Sequence, residues 1–123
     1  MKFSEADTSG GLLIRGYGAE GVVVNNRVYA SSLIVTRQRV IPDWRPRAAS
    51  DLRAEDFSLL VQIEPQILIL GTGEQQVFPE PAHYWPILER GIGIEIMDSG
   101  AACRTYNIIM AEGREVAAAL ILP

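Results

Sequence analysis

The chain has 123 residues, of which 48% are hydrophobic and 21% are charged, and its formal net charge is −4. The length suits one domain, and the composition argues against a disordered or membrane-like protein. The negative charge argues against broad nucleic-acid binding, because neutralising phosphates requires a positive surface, and the single cysteine excludes an internal disulfide.

The beginning of the chain contains no apolar signal core, and no apolar run approaches the roughly 20 residues that a membrane span requires. We therefore expect a cytoplasmic protein in which residues 1–123 form one domain. Residues 1–10 are expected to be flexible, because ordered structure is first predicted after the glycine pair at 10–11.

The N-terminal third predicts an antiparallel β meander. A short strand is expected at 12–14, ended by the segment 16–18. A hairpin is expected at 22–29, because asparagine at 25–26 tolerates the positive φ of a tight turn. The segment 33–41 can stay extended, which would place five side chains on one face: Leu33, Val35, Arg37, Arg39 and Ile41.

A loop rich in arginine follows this meander. Trp44 and Arg45 lie within it, between Pro42 and Pro46, and form a candidate surface for an anionic ligand or a protein partner. The alternative is a solvated loop with Trp44 folded beneath it as part of the core, which the usual burial of tryptophan favours.

From about residue 50 the apolar pattern changes to a helical period. Ser50 and Asp51 are expected to cap the first helix, and Pro65 is expected to end it. Pro86 fits the second helix only if it lies in the first turn, where no intrahelical donor is needed. The predicted elements are a helix ending near Ile63, a strand at 66–70, a helix at 82–89, a strand at 92–97, a helix at 99–112 and a strand at 116–122.

This order predicts an α/β domain. Its C-terminal strand–helix–strand–helix–strand unit would form parallel strands through crossover connections. The antiparallel N-terminal meander would extend or cap that sheet, which gives a mixed sheet overall.

The predicted parallel strands place two turns on one edge of the sheet. Gly71 and Asp98 both follow the carboxyl end of a strand, where ligands of open α/β sheets gather. A helix N-terminus there favours an anion. The alternative is purely structural: turn glycines, an N-cap, and carboxylates that fill the anion role. The candidate binding edge comprises Gly71, Thr72, Gly73, Ser99, Cys103, Arg104 and Asn107.

Cys103 is the residue of this edge with the most reactive side chain. In the first turn of a helix and beside Arg104, its thiol could have a lowered pKa and act as a nucleophile. The alternative, which we favour, is a small buried hydrophobic residue. One histidine and one cysteine, His83 and Cys103, give no metal site of recognised spacing, and the sequence predicts no cofactor.

Three segments carry a resemblance to a known family: 67–73 (ILILGTG) with Phe78 and Pro79, 91–107 (GIGIEIMDSGAACRTYN), and 111–121 (AEGREVAAALI). The chain resembles a small α/β family that includes the mitochondrial assembly factor 3 of respiratory complex I, the vertebrate adipogenesis-associated Mth-type domain protein and many uncharacterised prokaryotic proteins. The resemblance implies a one-domain α/β fold with a mixed sheet, no established enzymatic activity, and a recurrent Tyr/Phe-Asn pair at Tyr106 and Asn107.

The resemblance, together with the lack of a coherent catalytic set in the sequence, predicts a non-enzymatic protein-interaction or assembly-factor-like domain with an unidentified protein partner. The alternative is a protein or enzyme that binds a small anion or metabolite between the 71–73 turn and the N-terminus of the 99–112 helix. That alternative predicts a pocket lined by the 71–73 backbone, Arg104 and Asn107. The sequence leaves the oligomeric state open.

Overall fold

A computed structural model of the chain describes residues 10–123, so the predicted flexibility of residues 1–10 falls almost entirely outside the described part. The strands are β1 (Ile14–Gly18), β2 (Gly21–Val24), β3 (Arg27–Tyr29), β4 (Leu33–Thr36), β5 (Val40–Ile41), β6 (Ile67–Gly71), β7 (Gly93–Met97) and β8 (Val116–Leu120). The helices are a 3-10 turn (Ala49–Asp51), α1 (Ala54–Ile63), α2 (Pro81–Glu89) and α3 (Ser99–Ala111).

A five-stranded mixed sheet with the order β5-β4-β8-β6-β7 forms the centre of the molecule. β6 pairs in parallel with both β7 and β8, and β4 joins β8 in antiparallel orientation. β6 is buried along its whole length, as expected for an apolar run covered on both faces. These pairings confirm the predicted α/β class and the joining of a parallel unit to an antiparallel segment.

Two hydrophobic cores lie on opposite faces of this sheet. On one face, α3 and a separate three-stranded sheet, β1-β2-β3, pack against side chains such as Leu33, Ile69 and Ala118. On the other face, α1 and α2 pack against Leu68, Leu70 and neighbouring residues. The meander therefore both caps the central sheet, through β1–β3, and extends it, through β4 and β5.

Two predictions for the meander were wrong in detail. The first strand is Ile14–Gly18 instead of 12–14, and it runs through Gly16, where its register with β2 shifts. The segment 33–41 is not one extended strand. Its residues 37–39 form a turn, because the Thr36 hydroxyl accepts the backbone N–H groups of Gln38 and Arg39, and Arg37 and Arg39 therefore do not continue one strand face with Leu33.

The helices also differ from the predicted ones at their N-termini. Ser50 and Asp51 lie in the 3-10 turn, and α1 begins at Ala54, where the carboxylate of Asp56 accepts the Arg53 N–H at 2.9 Å. α2 begins with Pro81, so Pro86 lies inside the helix and not in its first turn. α3 matches its prediction closely: Asp98 caps it, and Gly113 follows its end with φ +88°.

Candidate functional site

Ser99 connects the carboxyl ends of the parallel strands. Its buried hydroxyl accepts the Gly73 N–H at 2.9 Å and donates to the Ile121 carbonyl at 2.9 Å. Its backbone N–H donates to the Gly73 carbonyl at 2.8 Å. We call Gly71, Thr72, Gly73, Ser99 and Ile121 the strand-end junction, because these residues tie the ends of β6 and β8 to the start of α3.

The first N–H groups of α3 are engaged within the protein. The Asp98 carboxylate accepts the Ala101 N–H at 2.8 Å, and the Asp98 carbonyl accepts the Ala102 N–H at 2.9 Å. The Ala102 bond is the first regular bond of the helix, so the Ser99 and Ala101 N–H groups are the two free helix-end donors that the protein itself engages. Within the described structure the protein itself thus occupies part of that anion-binding geometry.

Thr72 closes the loop that follows β6. Its backbone N–H donates to the Met97 carbonyl at 2.9 Å, and its hydroxyl accepts the Val77 N–H at 3.0 Å. The same hydroxyl lies 2.6 Å from the Gln75 carbonyl and 3.2 Å from that of Met97, so its hydrogen can donate to either. The Thr72 side chain is consequently committed to the shape of its own loop.

Cys103 is only 5% exposed: it packs among the core residues on the α3 face of the sheet and also lines a small surface depression beside Arg104. Burial raises the pKa of the Cys103 thiol to about 12; the Arg104 guanidinium opposes this rise and the Asp98 carboxylate adds to it. The thiol is therefore protonated at neutral pH, and the nucleophilic thiolate is scarcely populated. This environment is that of a packed hydrophobic residue.

Asn107 joins α3 to the first strand of the meander. Its amide nitrogen donates to the Ile14 carbonyl at 2.7 Å, and its amide oxygen accepts the Ile14 N–H at 2.9 Å. The side chain thus pairs with β1 as a neighbouring strand would. The preceding residue of the Tyr-Asn pair, Tyr106, is fully buried and donates its hydroxyl hydrogen to the Leu12 carbonyl at 2.8 Å.

The predicted binding edge is divided between two clefts. Arg104 and Asn107 line a small depression of about 170 Å³, together with Arg15 and Tyr17. A cleft of about 500 Å³ contains Thr72 and Gly73. We call it the Arg47 cleft, and its lining comprises Arg47, Ala48, Ala49, Ser50, Thr72, Gly73, Glu74, Gln75, Val77, Ile121 and Pro123.

Arg47 lies in the arginine-rich loop that follows the meander, and the sequence did not indicate that it lines a cleft with the 72–75 segment. No local signal could have shown this. The contact depends on how the 47–50 segment crosses the ends of β6 and β8, which is a property of the tertiary structure. Glu74 also lines the cleft and reduces the positive charge there.

Trp44 and Arg45, the predicted partner surface, are both engaged with their own domain. Trp44 is 7% exposed and belongs to the core beneath α1 and α2, although its indole N–H finds no acceptor among the described residues. The Arg45 guanidinium pairs with both carboxylate oxygens of Asp56, at 3.0 and 2.7 Å.

Asp56 responds to this pairing through its pKa. Burial alone would raise it, but the Arg45 guanidinium and the Arg53 N–H outweigh that effect and lower the pKa of Asp56 below its ordinary value. The carboxylate therefore stays charged at neutral pH and holds the loop against the start of α1.

Residues 10–123 contain no cluster of three or more His, Cys, Asp or Glu side chains placed to hold a metal ion. Across the same residues, every helix is too short or too polar to cross a membrane.

Comparison with known proteins gives a consistent result. Residues 14–121 match the model of a family described as "Protein of unknown function (DUF498/DUF598)". The chain is 35% identical over 115 residues to the "NADH dehydrogenase [ubiquinone] 1 alpha subcomplex assembly factor 3" of Bos taurus, covering 91% of this chain. It spans 61% of the length of that relative.

A shorter relative carries a different name. The "13 kDa major membrane protein" of Francisella tularensis is 24% identical over 123 residues, which is 98% of this chain and 99% of that protein. This name, which describes that relative alone, differs from the name of the Bos taurus relative, an assembly factor.

Two solved structures share the fold over nearly the whole chain. A crystal structure of a Bordetella parapertussis protein has a TM-score of 0.85 and 32% identity, covering 92% of this chain and 97% of that one. The solution structure of a Bordetella pertussis protein described as a Mth938-like domain has a TM-score of 0.79 and 29% identity, covering 98% of this chain and 92% of that one.

Proposed function

The chain belongs to the DUF498/DUF598 family, and from this premise we propose that it is an assembly-factor-like domain that acts by binding another protein. The observation that carries the proposal is the similarity to relatives named as complex I assembly factor 3, which extends over 91% of this chain. Because the chain spans only part of those relatives, the identity of its partner belongs to the proposal as well.

The geometry supports a binding role over catalysis. The polar groups of the strand-end junction are used in hydrogen bonds within the domain, and the Cys103 thiol is protonated. Large apolar side chains are meanwhile exposed close together in sequence, at Val77, Phe78, Trp85 and Leu88. Aromatic side chains, here Phe78 and Trp85, are enriched at protein interfaces.

Affinity capture tests this role. The tagged chain, expressed at its natural level in its native host and crosslinked before lysis, should retain the same partner in independent preparations. A capture that repeatedly yields no protein above an untagged control would contradict a binding role. Because the relatives are named for complex I, native gels of a deletion strain should show less assembled complex I, and an unchanged amount would exclude that particular target.

The cytoplasm is the location that we propose, in keeping with a composition of 21% charged residues and a net charge of −4. Fractionation of the native host measures it directly. Recovery of the chain in the membrane fraction after a high-salt wash would contradict the proposal and agree with the name of the Francisella relative.

A second candidate function is the binding of a small anion in the Arg47 cleft. It is favoured by one observation: Arg47 lies across from the Thr72–Gln75 segment at the carboxyl ends of β6 and β8. Titration with inorganic phosphate should then shift the amide signal of Gly73, and Arg47→Gln should abolish the shift while Arg90→Gln leaves it. A Gly73 signal that does not respond to millimolar phosphate would dispose of this function.

A further inference from the structure

The outer edge of β7 presents unpaired backbone groups. β7 is the terminal strand of the central sheet and pairs only with β6. The Gly93 N–H donates to the Gln66 carbonyl at 3.1 Å, and the Met97 carbonyl accepts the Thr72 N–H at 2.9 Å. Because backbone groups alternate in direction along a strand, those of Ile94 and Ile96 point away from β6.

One of these outward groups has a partner. The Ile96 carbonyl accepts a hydrogen bond from the Gln76 side chain at 2.9 Å. The Ile94 N–H, the Ile94 carbonyl and the Ile96 N–H have none among residues 10–123. Alternating donors and acceptors of this kind are matched by the backbone of another extended chain.

Natural edge strands are commonly protected against such pairing by charged side chains (especially lysine), proline, a bulge or a covering loop. Of these devices, β7 has the Glu95 side chain and the single Gln76 hydrogen bond from the loop after β6. β7 contains no proline or lysine, and its register with β6 is continuous from Gly93 to Met97. Phe78, two residues beyond the Gln76 that bonds to Ile96, is 67% exposed. The Ile94 and Ile96 N–H groups are therefore left for a partner strand whose charge complements Glu95.

The segment of the chain that contains β7 is predominantly negative in sequence. Residues 74–97 contain four glutamates, Glu74, Glu80, Glu89 and Glu95, against the single arginine Arg90. All four glutamates are exposed. Glu95 lies on β7 itself and takes part in neither of the two ion pairs of the described structure. A strand that pairs here would find its most favourable cross-strand neighbours in lysine or arginine.

We propose that the outer edge of β7 binds an extended, basic segment of a protein partner, which adds to the central sheet as a sixth strand. This inference rests on the proposed function, since it names the surface and the partner chemistry of the assembly-factor-like domain. The partner's backbone bonds to Ile94 and Ile96, and its basic side chain lies opposite Glu95.

A second copy of this chain fits the edge less well. Two β7 strands that pair antiparallel about a two-fold axis at their centres place Glu95 of one copy directly opposite Glu95 of the other. Like charges in directly opposed positions destabilise a strand pair. The edge thus favours a basic partner over self-association.

Nuclear magnetic resonance with two probe peptides tests the proposal. One short, end-blocked peptide alternates valine and lysine, and the other alternates valine and glutamate. The basic peptide should shift the amide signals of Ile94 and Ile96 and slow their hydrogen exchange, whereas the acidic one should not. A version of the basic peptide in which the pairing residues are N-methylated should lose the effect, because its backbone can no longer donate.

Charge reversal gives the matched control. Glu95→Lys should weaken binding of the basic peptide by about two- to five-fold and admit the acidic peptide, whereas Glu112→Lys, at the far end of α3, should change neither. The inference is overturned by unchanged Ile94 and Ile96 signals, by equal binding of both peptides, or by full binding of the N-methylated peptide.

Failure of this inference can be separated from failure of the proposed function. If affinity capture yields a partner and Glu95→Lys retains it in full, the binding role stands and the β7 edge is not the surface. If the peptides bind the edge as predicted and no cellular partner is captured, the surface stands and the assembly-factor-like role fails.

Discussion

The strand-end junction and the outer edge of β7 contrast in how their polar groups are used. At the junction, the Ser99 hydroxyl, the Gly73 backbone and the first turn of α3 are bonded to one another in a buried setting. At the edge, three backbone groups of Ile94 and Ile96 remain unpaired among the described residues. The contrast shows that polar residues which look reactive in the sequence can serve only to stabilise the fold. Unpaired backbone groups at a sheet edge, by comparison, are marked by no sequence motif.

The largest expected effect tests how tightly the junction is packed. In Gly71→Ala the new methyl group would lie 2.9 Å from the Ser99 backbone and 3.1 Å from the Ala102 side chain. We expect a loss of about 2–3 kcal/mol in the free energy of unfolding, measured by urea denaturation. Gly93→Ala on β7 is the matched control, because its nearest neighbours are 3.8 Å away. Equal losses for the two variants would refute the contrast.

Removal of one hydroxyl group tests the hydrogen bonds of the junction. Ser99→Ala leaves the Gly73 N–H and the Ile121 carbonyl without their buried partner, and we expect a loss of about 2 kcal/mol. Thermal and urea unfolding measure it, with the exposed Ser58→Ala as control. A loss under about 0.5 kcal/mol would mean that water replaces the hydroxyl and that the junction is open to ligands.

The N-cap of α3 should contribute less to the free energy of unfolding than the Ser99 hydroxyl does. Asp98→Ala removes the acceptor of the Ala101 N–H and should cost about 1 kcal/mol, whereas Asp98→Asn preserves a capping oxygen and should cost little. If the alanine variant also gains affinity for phosphate, measured by calorimetry, the anion geometry of the helix exists and Asp98 normally fills it. Unchanged phosphate binding would restrict Asp98 to a structural role.

The pH dependence of stability should reveal the buried thiol. Burial raises the pKa of Cys103 in the folded state to about 12, against an ordinary value of 9.0. The stability that the neutral thiol contributes is therefore fully present below about pH 9. This contribution should be lost as the pH rises from about 9 toward 12. The difference in unfolding free energy between the wild type and Cys103→Ala should therefore be flat near neutral pH and decline above about pH 9. A reactive thiol, with a lowered pKa in the folded state, would instead make this difference rise between about pH 7 and pH 9, and such a rise would restore the reactive-thiol hypothesis.

The smallest effect on stability is expected beside the β7 edge. Phe78→Ser changes an exposed side chain and should alter the free energy of unfolding by less than about 0.5 kcal/mol. Its effect should appear in capture of a protein partner, which we expect to weaken. A large stability loss with unchanged partner capture would place Phe78 in the core and not in an interface.

Much of the fold could be predicted because its signals are local. The apolar run at 67–70, the cap at Asp98 and the terminating Gly113 each fix an element within a few residues of themselves. The turn at 37–39 was missed because the Thr36 hydroxyl, rather than an Asn or Gly, organises it. Pro86 was misplaced because a second proline, Pro81, already occupies the first turn of α2.

The environment of the candidate binding edge was harder to predict than the fold, because its residues interact with distant parts of the chain. Asn107 bonds to Ile14, 93 positions away in sequence, and Ser99 bonds to Ile121. These pairings determine whether a polar side chain faces a ligand or another strand, and no spacing within 99–107 encodes them. The depression beside Arg104 and the Arg47 cleft are separate for the same reason.

By itself the sequence determined the elements, the α/β class and the family resemblance, since these depend on periodicity, capping and motifs that short segments carry. Only the tertiary structure decided which polar groups form hydrogen bonds within the domain and which have no partner among the described residues. That division depends on strand order: β6 is buried between two neighbours, whereas β7 has only one. Backbone N–H and carbonyl groups are therefore hydrogen-bonded at the strand-end junction, whereas three of them are unpaired at the outer edge of β7 among the described residues.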